Sequence, residues 1–326
     1  MRMAGSTTKP ERSSEILTPS RLSWSSVSTY AECGQRWLLE RGYKVPSSTW
    51  FATLAGSAIH EITEYRDRLE LLGLTPAEQA IYSPTFAEEF DKRVSEVRST
   101  GREVKASGRE GKSLTESGGP NKKDFDWWMH FGPIFVQRWM DWKAQHGWTV
   151  MTMPDGQPGI ELGFDIELAG QRVVGFIDRV YQSADTGVTV FDLKTGKVPS
   201  GSLQLKTYDL GLKRGYGVEA DWGVFWTPGG DDEGKLSPAT DLRAWSDERV
   251  EDMYEKAMRG IEAGIFLPQV TNMCKGCSVR DYCWAVAGAK VEELPLAPSI
   301  IRRDTGEVSS DPNAQVEHKE DDGNEG

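Results

Sequence analysis

The sequence predicts an α/β fold, a central mixed β-sheet flanked by helices, on three observations. Helical apolar spacing dominates residues 23 to 148, two-residue alternation replaces it from about 149, and a helix, a strand and a long helix follow from 202. A length of 326 residues with 38% hydrophobic content suits one elaborated domain, and no internal repeat is visible.

Residues 1 to 22 read as a loose Ser/Thr/Pro-rich leader, and the domain proper as residues 23 to 290. The stretch SWSSVSTYAECGQRWLLERGY has serine caps before a helical pattern, which places Cys33 on the first helix. A second helix is expected over residues 54 to 72, with His60 and Glu64 one turn apart on one face. Residues 93 to 124 are polar and glycine-rich, after which FDWWMHFGPIFVQRWMDW resumes a helical pattern with a break expected near Gly132-Pro133. In IELGFDIEL the residues Ile160, Leu162, Phe164, Ile166 and Leu168 alternate with Glu161, Gly163, Asp165 and Glu167, a half-exposed strand. Ala169-Gly170 turns the chain into RVVGFIDRVY, and SADTG leads to VTVFDLK, so an antiparallel meander is expected. SLQLKTYDLGL reads as a helix, ADWGVFWTP as a fourth strand, and DERVEDMYEKAMRGIEAG as a long closing helix.

A net charge of -12 is unexpected for a chain that handles DNA, but its distribution matters more than its sum. Residues 304 to 326 hold eight acids against Lys319, a net of -7, and residues 291 to 326 read as a disordered acidic tail. Residues 92 to 123 carry nine Lys or Arg against four Glu, a net of +5, and read as a basic insertion. The first 30 residues lack the apolar core of a signal peptide, and no run reaches the roughly 18 apolar residues of a membrane span, so a soluble cytoplasmic protein is expected.

Asp178 closes GFID and Asp192 lies in FDLK, on strands joined by a short turn. Two carboxylates held close on a sheet are costly unless a cation neutralises them. Asp192 and Lys194 are two residues apart and project from one strand face, while His60 can bring a nitrogen ligand from its helix. A bound divalent ion beside such a lysine would activate water and polarise a phosphate. Taken singly, these residues would more often be solvated side chains; their order along the chain decides otherwise.

That order resembles the RecB-like branch of the PD-(D/E)xK nuclease superfamily. The motifs are Gly56 to His60 on a helix, Gly175 to Asp178 and Asp192 to Lys194 on strands, and Gln204 to Tyr208 on a helix. The resemblance implies a restriction-endonuclease-like core in which His60, Asp178, Asp192 and the Leu193 carbonyl bind magnesium or manganese. It further implies that Asp178, Asp192 and Lys194 are catalytic and that Gln204 and Tyr208 line the substrate site. The last two are one helical turn apart and share a face. The implied activity is exonucleolytic hydrolysis of DNA, chiefly at single-stranded ends, in recombination, repair or phage DNA metabolism. Glu161 sits where a cleft carboxylate could, but reads better as a surface residue on the exposed strand face.

The four cysteines are Cys33 and then Cys274, Cys277 and Cys283 in CKGCSVRDYC. Three thiols at this spacing can wrap one metal centre that a distant fourth completes; an intracellular setting disfavours disulfides. Spacing alone leaves zinc and iron-sulfur open. The arrangement resembles the RecB-like exonucleases with a 4Fe-4S cluster, including the CRISPR-associated and AddB-type enzymes, which implies a cluster stapling the two ends of the domain.

Residues 106 to 113, ASGREGKS, match a loose phosphate-loop pattern, but neither the preceding strand nor the following helix is present, and a flexible basic loop contacting DNA is the better reading. Without a motor domain the chain would stand alone or work beside a separate helicase. Trp127, Trp128, Trp139 and Trp142 could stack on bases, yet at helical spacing they read as core. Two other functions compete: a non-catalytic DNA-binding or scaffold protein that keeps the fold, and a zinc-stabilised binding module. The intact Asp178, Asp192 and Lys194 speak against the first, and the complete order of nuclease motifs against the second.

Overall fold

The computed structural model describes residues 15–108, 122–183, 186–229, 234–295 and 299–301. It begins with β1 (Glu15–Leu17), α1 (Trp24–Glu32), α2 (Gly34–Trp37), a π-helical turn (Leu38–Gly42) and β2 (Thr49–Trp50). Then come α3 (Phe51–Leu71), α4 (Pro76–Tyr82), α5 (Phe86–Ser99), β3 (Val104–Lys105) and α6 (Phe125–His146). The sheet follows, with β4 (Thr149–Val150), β5 (Ile160–Leu168), β6 (Gln171–Ser183) and β7 (Gly187–Leu193). The chain continues through α7 (Leu203–Tyr216), β8 (Trp222–Thr227), β9 (Lys235–Leu236), β10 (Thr240–Asp241) and α8 (Asp247–Glu262), and β11 (Ser299–Ile301) pairs in parallel with β1.

The central sheet is mixed and flanked by helices, as expected. β5, β6 and β7 form the antiparallel meander, and β8 joins β7 in parallel after crossing through α7. Such a parallel join needs a long connection, which the α7 crossover supplies. One face of the sheet packs Tyr181, Phe191, Leu193 and Trp226 against α3, α5 and α6. The other packs Leu162, Phe164, Val180 and Val190 against α7 and α8. Trp127, Trp128, Trp139 and Trp142 are all buried in the first core, as their helical spacing indicated.

Local chemistry explains the element ends. Thr75 with Glu78 and Thr85 with Glu88 form reciprocal capping boxes that start α4 and α5, two helices that the sequence reading did not assign. Asp124 caps α6 by accepting the Trp127 amide at 3.1 Å, and Gly147 ends that helix at φ 60°.

Several expectations need correction. α6 runs unbroken through Pro133. Beside it, Gly132 leaves room for the Phe86 ring, which a Cβ there would meet at 2.1 Å, so α5 packs closely on α6. Cys33 is not on a helix: its φ of -164° and ψ of 102° are extended and separate α1 from α2. Glu15–Leu17, taken as part of a loose leader, is a strand with Ile16 only 2% exposed, and Ser299–Ile301 from the expected tail is its partner. Most of the phosphate-loop-like segment and of the acidic tail lies outside the described residues. Among the described residues, no helix is long and apolar enough to cross a membrane.

Candidate active site

The strand registers gather three carboxylates in one row. Ile160 lies opposite Arg179 and Leu162 opposite Ile177, so Glu161 and Asp178 occupy the step between these two pairs, where the regular pairing is interrupted. Arg179 pairs with Phe191, so the next step of that ladder sets Asp178 across from Asp192. Directly opposed residues hold their Cβ atoms roughly 4.5–5.5 Å apart, so neighbouring negative charges here repel strongly. Asp178 is fixed by accepting the Leu193 amide on Oδ2 at 2.7 Å. α3 approaches from the side: a Cβ at Gly56 would stand 2.8 Å from Thr195 Oγ1, so a glycine there lets the helix come close to the chain just beyond Lys194.

His60, one turn along α3 from Gly56, puts Nδ1 3.6 Å from Asp178 Oδ2 and 4.0 Å from Glu161 Oε1. Ligand atoms of His60, Glu161 and Asp178 all lie within 4.8 Å of one another. Glu161 therefore belongs to the site and is not a surface residue, as strand parity had indicated. Its φ of 45° explains the misreading: a left-handed residue inside a strand breaks the alternation and re-aims the side chain. Such backbone costs about 1–3 kcal/mol and gathers at functional sites.

Beside this trio, Lys194 Nζ stands 2.6 Å from Asp192 Oδ2, an ion pair that lacks hydrogen-bond alignment. Gln204 Nε2 donates to Asp192 Oδ1 at 2.7 Å, and the Tyr208 hydroxyl donates to the same oxygen at 3.2 Å. The structure thus brings together His60, Asp178, Asp192, Leu193, Lys194, Gln204 and Tyr208. Glu64 turns instead to Arg68, at 3.1 Å.

Electrostatics tests whether a cation fits. Burial raises the Asp192 carboxyl, the Asp178 charge raises it further, and Lys194 pulls it back, leaving it at about 7. Burial also raises Asp178, although His60 opposes the shift. Burial disfavours charge on His60, but Asp178, Glu161 and Asp192 outweigh it and lift its pKa to about 9; the ring is still 30% exposed, so water tempers the burial penalty. In the absence of a metal the cluster balances its charge with protons, as expected of ligands built around a cation. Two carboxylates and an imidazole are a donor set that fits manganese or magnesium.

The four cysteines, which lie before and after the carboxylate residues in the chain's order, come together around one cavity. Cys33, Cys274, Cys277 and Cys283 line one small cavity together with Arg36 and Arg280. The Gln269 amide donates to Cys33 Sγ and the Thr271 amide to Cys274 Sγ, each at 3.4 Å. Burial pushes the Cys277 and Cys283 thiols up, and the neighbouring cysteines add to the shift.

The chain belongs to the PD-(D/E)XK nuclease superfamily, whose family model matches residues 21–284. It is similar to the Gene 69 protein of Mycobacterium phage D29, at 34% identity over 181 residues, or 49% of this chain and 66% of that protein. The matched part thus spans just under two thirds of that relative. The Gene 69 protein of Mycobacterium phage L5 is 27% identical over 306 residues, or 82% of this chain and 97% of that protein. A solved structure of a candidate exonuclease from Eubacterium rectale overlaps 85% of this chain and 92% of its own at 10% identity, with a TM-score of 0.42.

Proposed function

We propose that this protein is a metal-dependent DNA exonuclease of the RecB-like branch that hydrolyses phosphodiester bonds from DNA ends, single-stranded ends first. The observation that carries the reading is the convergence of His60, Glu161 and Asp178 within 4.8 Å, beside the Asp192–Lys194 pair, in a member of this superfamily. His60, Glu161, Asp178 and Asp192, with the Leu193 carbonyl, are the groups that would hold the ion. Magnesium or manganese supplies there a water of lowered pKa and a polarised phosphate. Gln204 and Tyr208 grip Asp192 through Oδ1, which leaves Oδ2 to Lys194. Lys194 orients the attacking water and offsets charge developing on the phosphate.

The two phage relatives support a role in phage DNA metabolism, recombination or repair, inside a cell and beside a separate helicase or recombination partner. The test is end-labelled linear against circular single-stranded DNA with manganese. Linear DNA should be degraded and circles spared; cleaved circles would overturn the exonuclease reading.

The cysteine cavity is read as the seat of a 4Fe-4S cluster held by Cys33, Cys274, Cys277 and Cys283, with zinc as the alternative. Four thiols around one cavity, two of them already accepting amide hydrogen bonds, support a metal centre. Nothing assigns the cluster a redox part; its role is to tie the two ends of the domain together.

A further inference from the structure

Behind the candidate ligands lies a buried charge network that the nuclease motifs do not include. Asp67 is wholly buried on α3 and receives Arg179 Nε at 2.5 Å, Lys143 Nζ at 2.6 Å and Trp139 Nε1 at 3.4 Å. Arg179, 2% exposed, follows Asp178 on β6 and uses its other nitrogens toward the site. Nη1 donates to the Asp178 main-chain oxygen at 2.6 Å and lies 3.6 Å from Glu161 Oε1. Nη2 donates to Thr63 Oγ1 at 3.4 Å, and Thr63 Oγ1 in turn donates to the His60 carbonyl at 2.9 Å. His60, Thr63 and Asp67 recur at helical spacing on one face of α3. One guanidinium therefore touches a group on, or tied to, each member of the His60, Glu161 and Asp178 set.

We propose that Arg179 is a positioning residue whose planar fork joins α3, β5 and β6, so that the imidazole and the two carboxylates stand in place before an ion arrives. The proposal rests on reading His60, Glu161 and Asp178 as ligands of a divalent ion. Two simpler roles are possible for a buried arginine, and both make different predictions. As a bare positive charge, Arg179 would be replaceable by lysine. As a purely structural tie, its loss would lower stability and leave the ion affinity of the surviving fold unchanged. A positioning role needs the fork itself, because a lysine ammonium cannot meet Asp67, Glu161 and the Asp178 carbonyl in one planar arrangement.

The experiment titrates manganese into the full-length protein by calorimetry, with melting curves run alongside. Arg179→Lys should remain folded and bind manganese about tenfold to a hundredfold more weakly, the range lost when supporting groups around a metal are removed. Wild-type affinity in folded Arg179→Lys would overturn the proposal. Should that variant fail to fold, Thr63→Val removes only the hydroxyl between Arg179 and His60. It should remain folded, at a somewhat lower melting temperature because Arg179 Nη2 loses an acceptor, and bind manganese more weakly; unaltered affinity would overturn the proposal equally. If the wild-type protein binds no manganese, the ligand reading fails, and the positioning role falls with it for that separate reason.

Discussion

Lys194 Nζ lies 2.6 Å from Asp192 Oδ2, while Asp192 Oδ1 is held separately by Gln204 and Tyr208. The two carboxylate oxygens thus have distinct partners, and Lys194 is held against the oxygen that Gln204 and Tyr208 leave free. Replacing Lys194 with Ala, or Asp192 with Ala, should lower DNA cleavage at least about a hundredfold, the scale of losing a positioned proton-transfer or charge-stabilising group. Circular dichroism should show both variants folded; wild-type turnover in either would contradict the assignment.

Glu161→Gln keeps the side-chain length but removes one of three crowded negative charges. The manganese concentration for half-maximal cleavage should rise about tenfold, as for a weakened ligand. The metal-free melting temperature should change little, since relief of repulsion with Asp178 is offset by lost attraction to His60 and Arg179. An unchanged manganese requirement would return Glu161 to the role of a bystander.

His60 and Asp192 bring a pH dependence with a defined sign. Their pKa values in the metal-free fold are about 9 and about 7, against ordinary values of 6.5 and 3.8. Between about pH 6.5 and 9 the folded chain holds more protons than the unfolded one, so stability falls as pH rises. The His60 contribution is complete below 6.5 and lost as pH passes about 9; the cost of ionising Asp192 grows from 3.8 to about 7. Melts of EDTA-treated protein should therefore be lower at high pH than at neutral pH, and manganese should remove the difference. A flat profile would contradict the proton-balanced cluster.

Cys33→Ser should cost the protein its colour and its thermal stability together. Loss of a staple across nearly the whole domain frees chain entropy of about 4–5 kcal/mol, which lowers the melting temperature by roughly 10 °C. Protein purified without oxygen should be brown, with iron and acid-labile sulfide. A colourless protein with stoichiometric zinc would replace the cluster by a zinc staple, and four alkylatable thiols in native metal-free protein would remove both.

The basic segment offers a separate test, since Lys123 Nζ sits 4.7 Å over the Trp127 ring at its described edge. Reversing Lys112, Lys122 and Lys123 to Glu should weaken DNA binding and reduce the slope of log affinity against log salt by about two to three units. An unchanged slope would mean that the segment faces away from DNA.

His60, Asp178, Asp192, Lys194, Gln204 and Tyr208 were legible because the order of their motifs resembles that of the nuclease superfamily, and the structure brings them together. Glu161 was not, because parity arguments assume unbroken alternation and its φ of 45° violates that assumption. Its left-handed backbone has no signature in a glutamate. α4 and α5 could have been found from Thr75–Glu78 and Thr85–Glu88, two Thr-x-x-Glu capping signals overlooked between the second expected helix and the polar stretch. Pro133 misled because a proline weakens a helix locally without always ending it, and tertiary packing of the long α6 is not written in its own sequence. The Arg179–Asp67 pair joins residues 112 positions apart, a relationship that local patterns do not encode.

The central claim is that this row of carboxylates with Lys194 performs ion-dependent phosphodiester hydrolysis. Purified protein incubated with labelled single-stranded linear DNA in manganese, in magnesium and in EDTA tests it most directly, with Asp178→Asn in parallel. The account predicts degradation with either ion, none in EDTA, and loss of activity in the variant. Cleavage that persists in EDTA, or an Asp178→Asn protein as active as wild type, would contradict it.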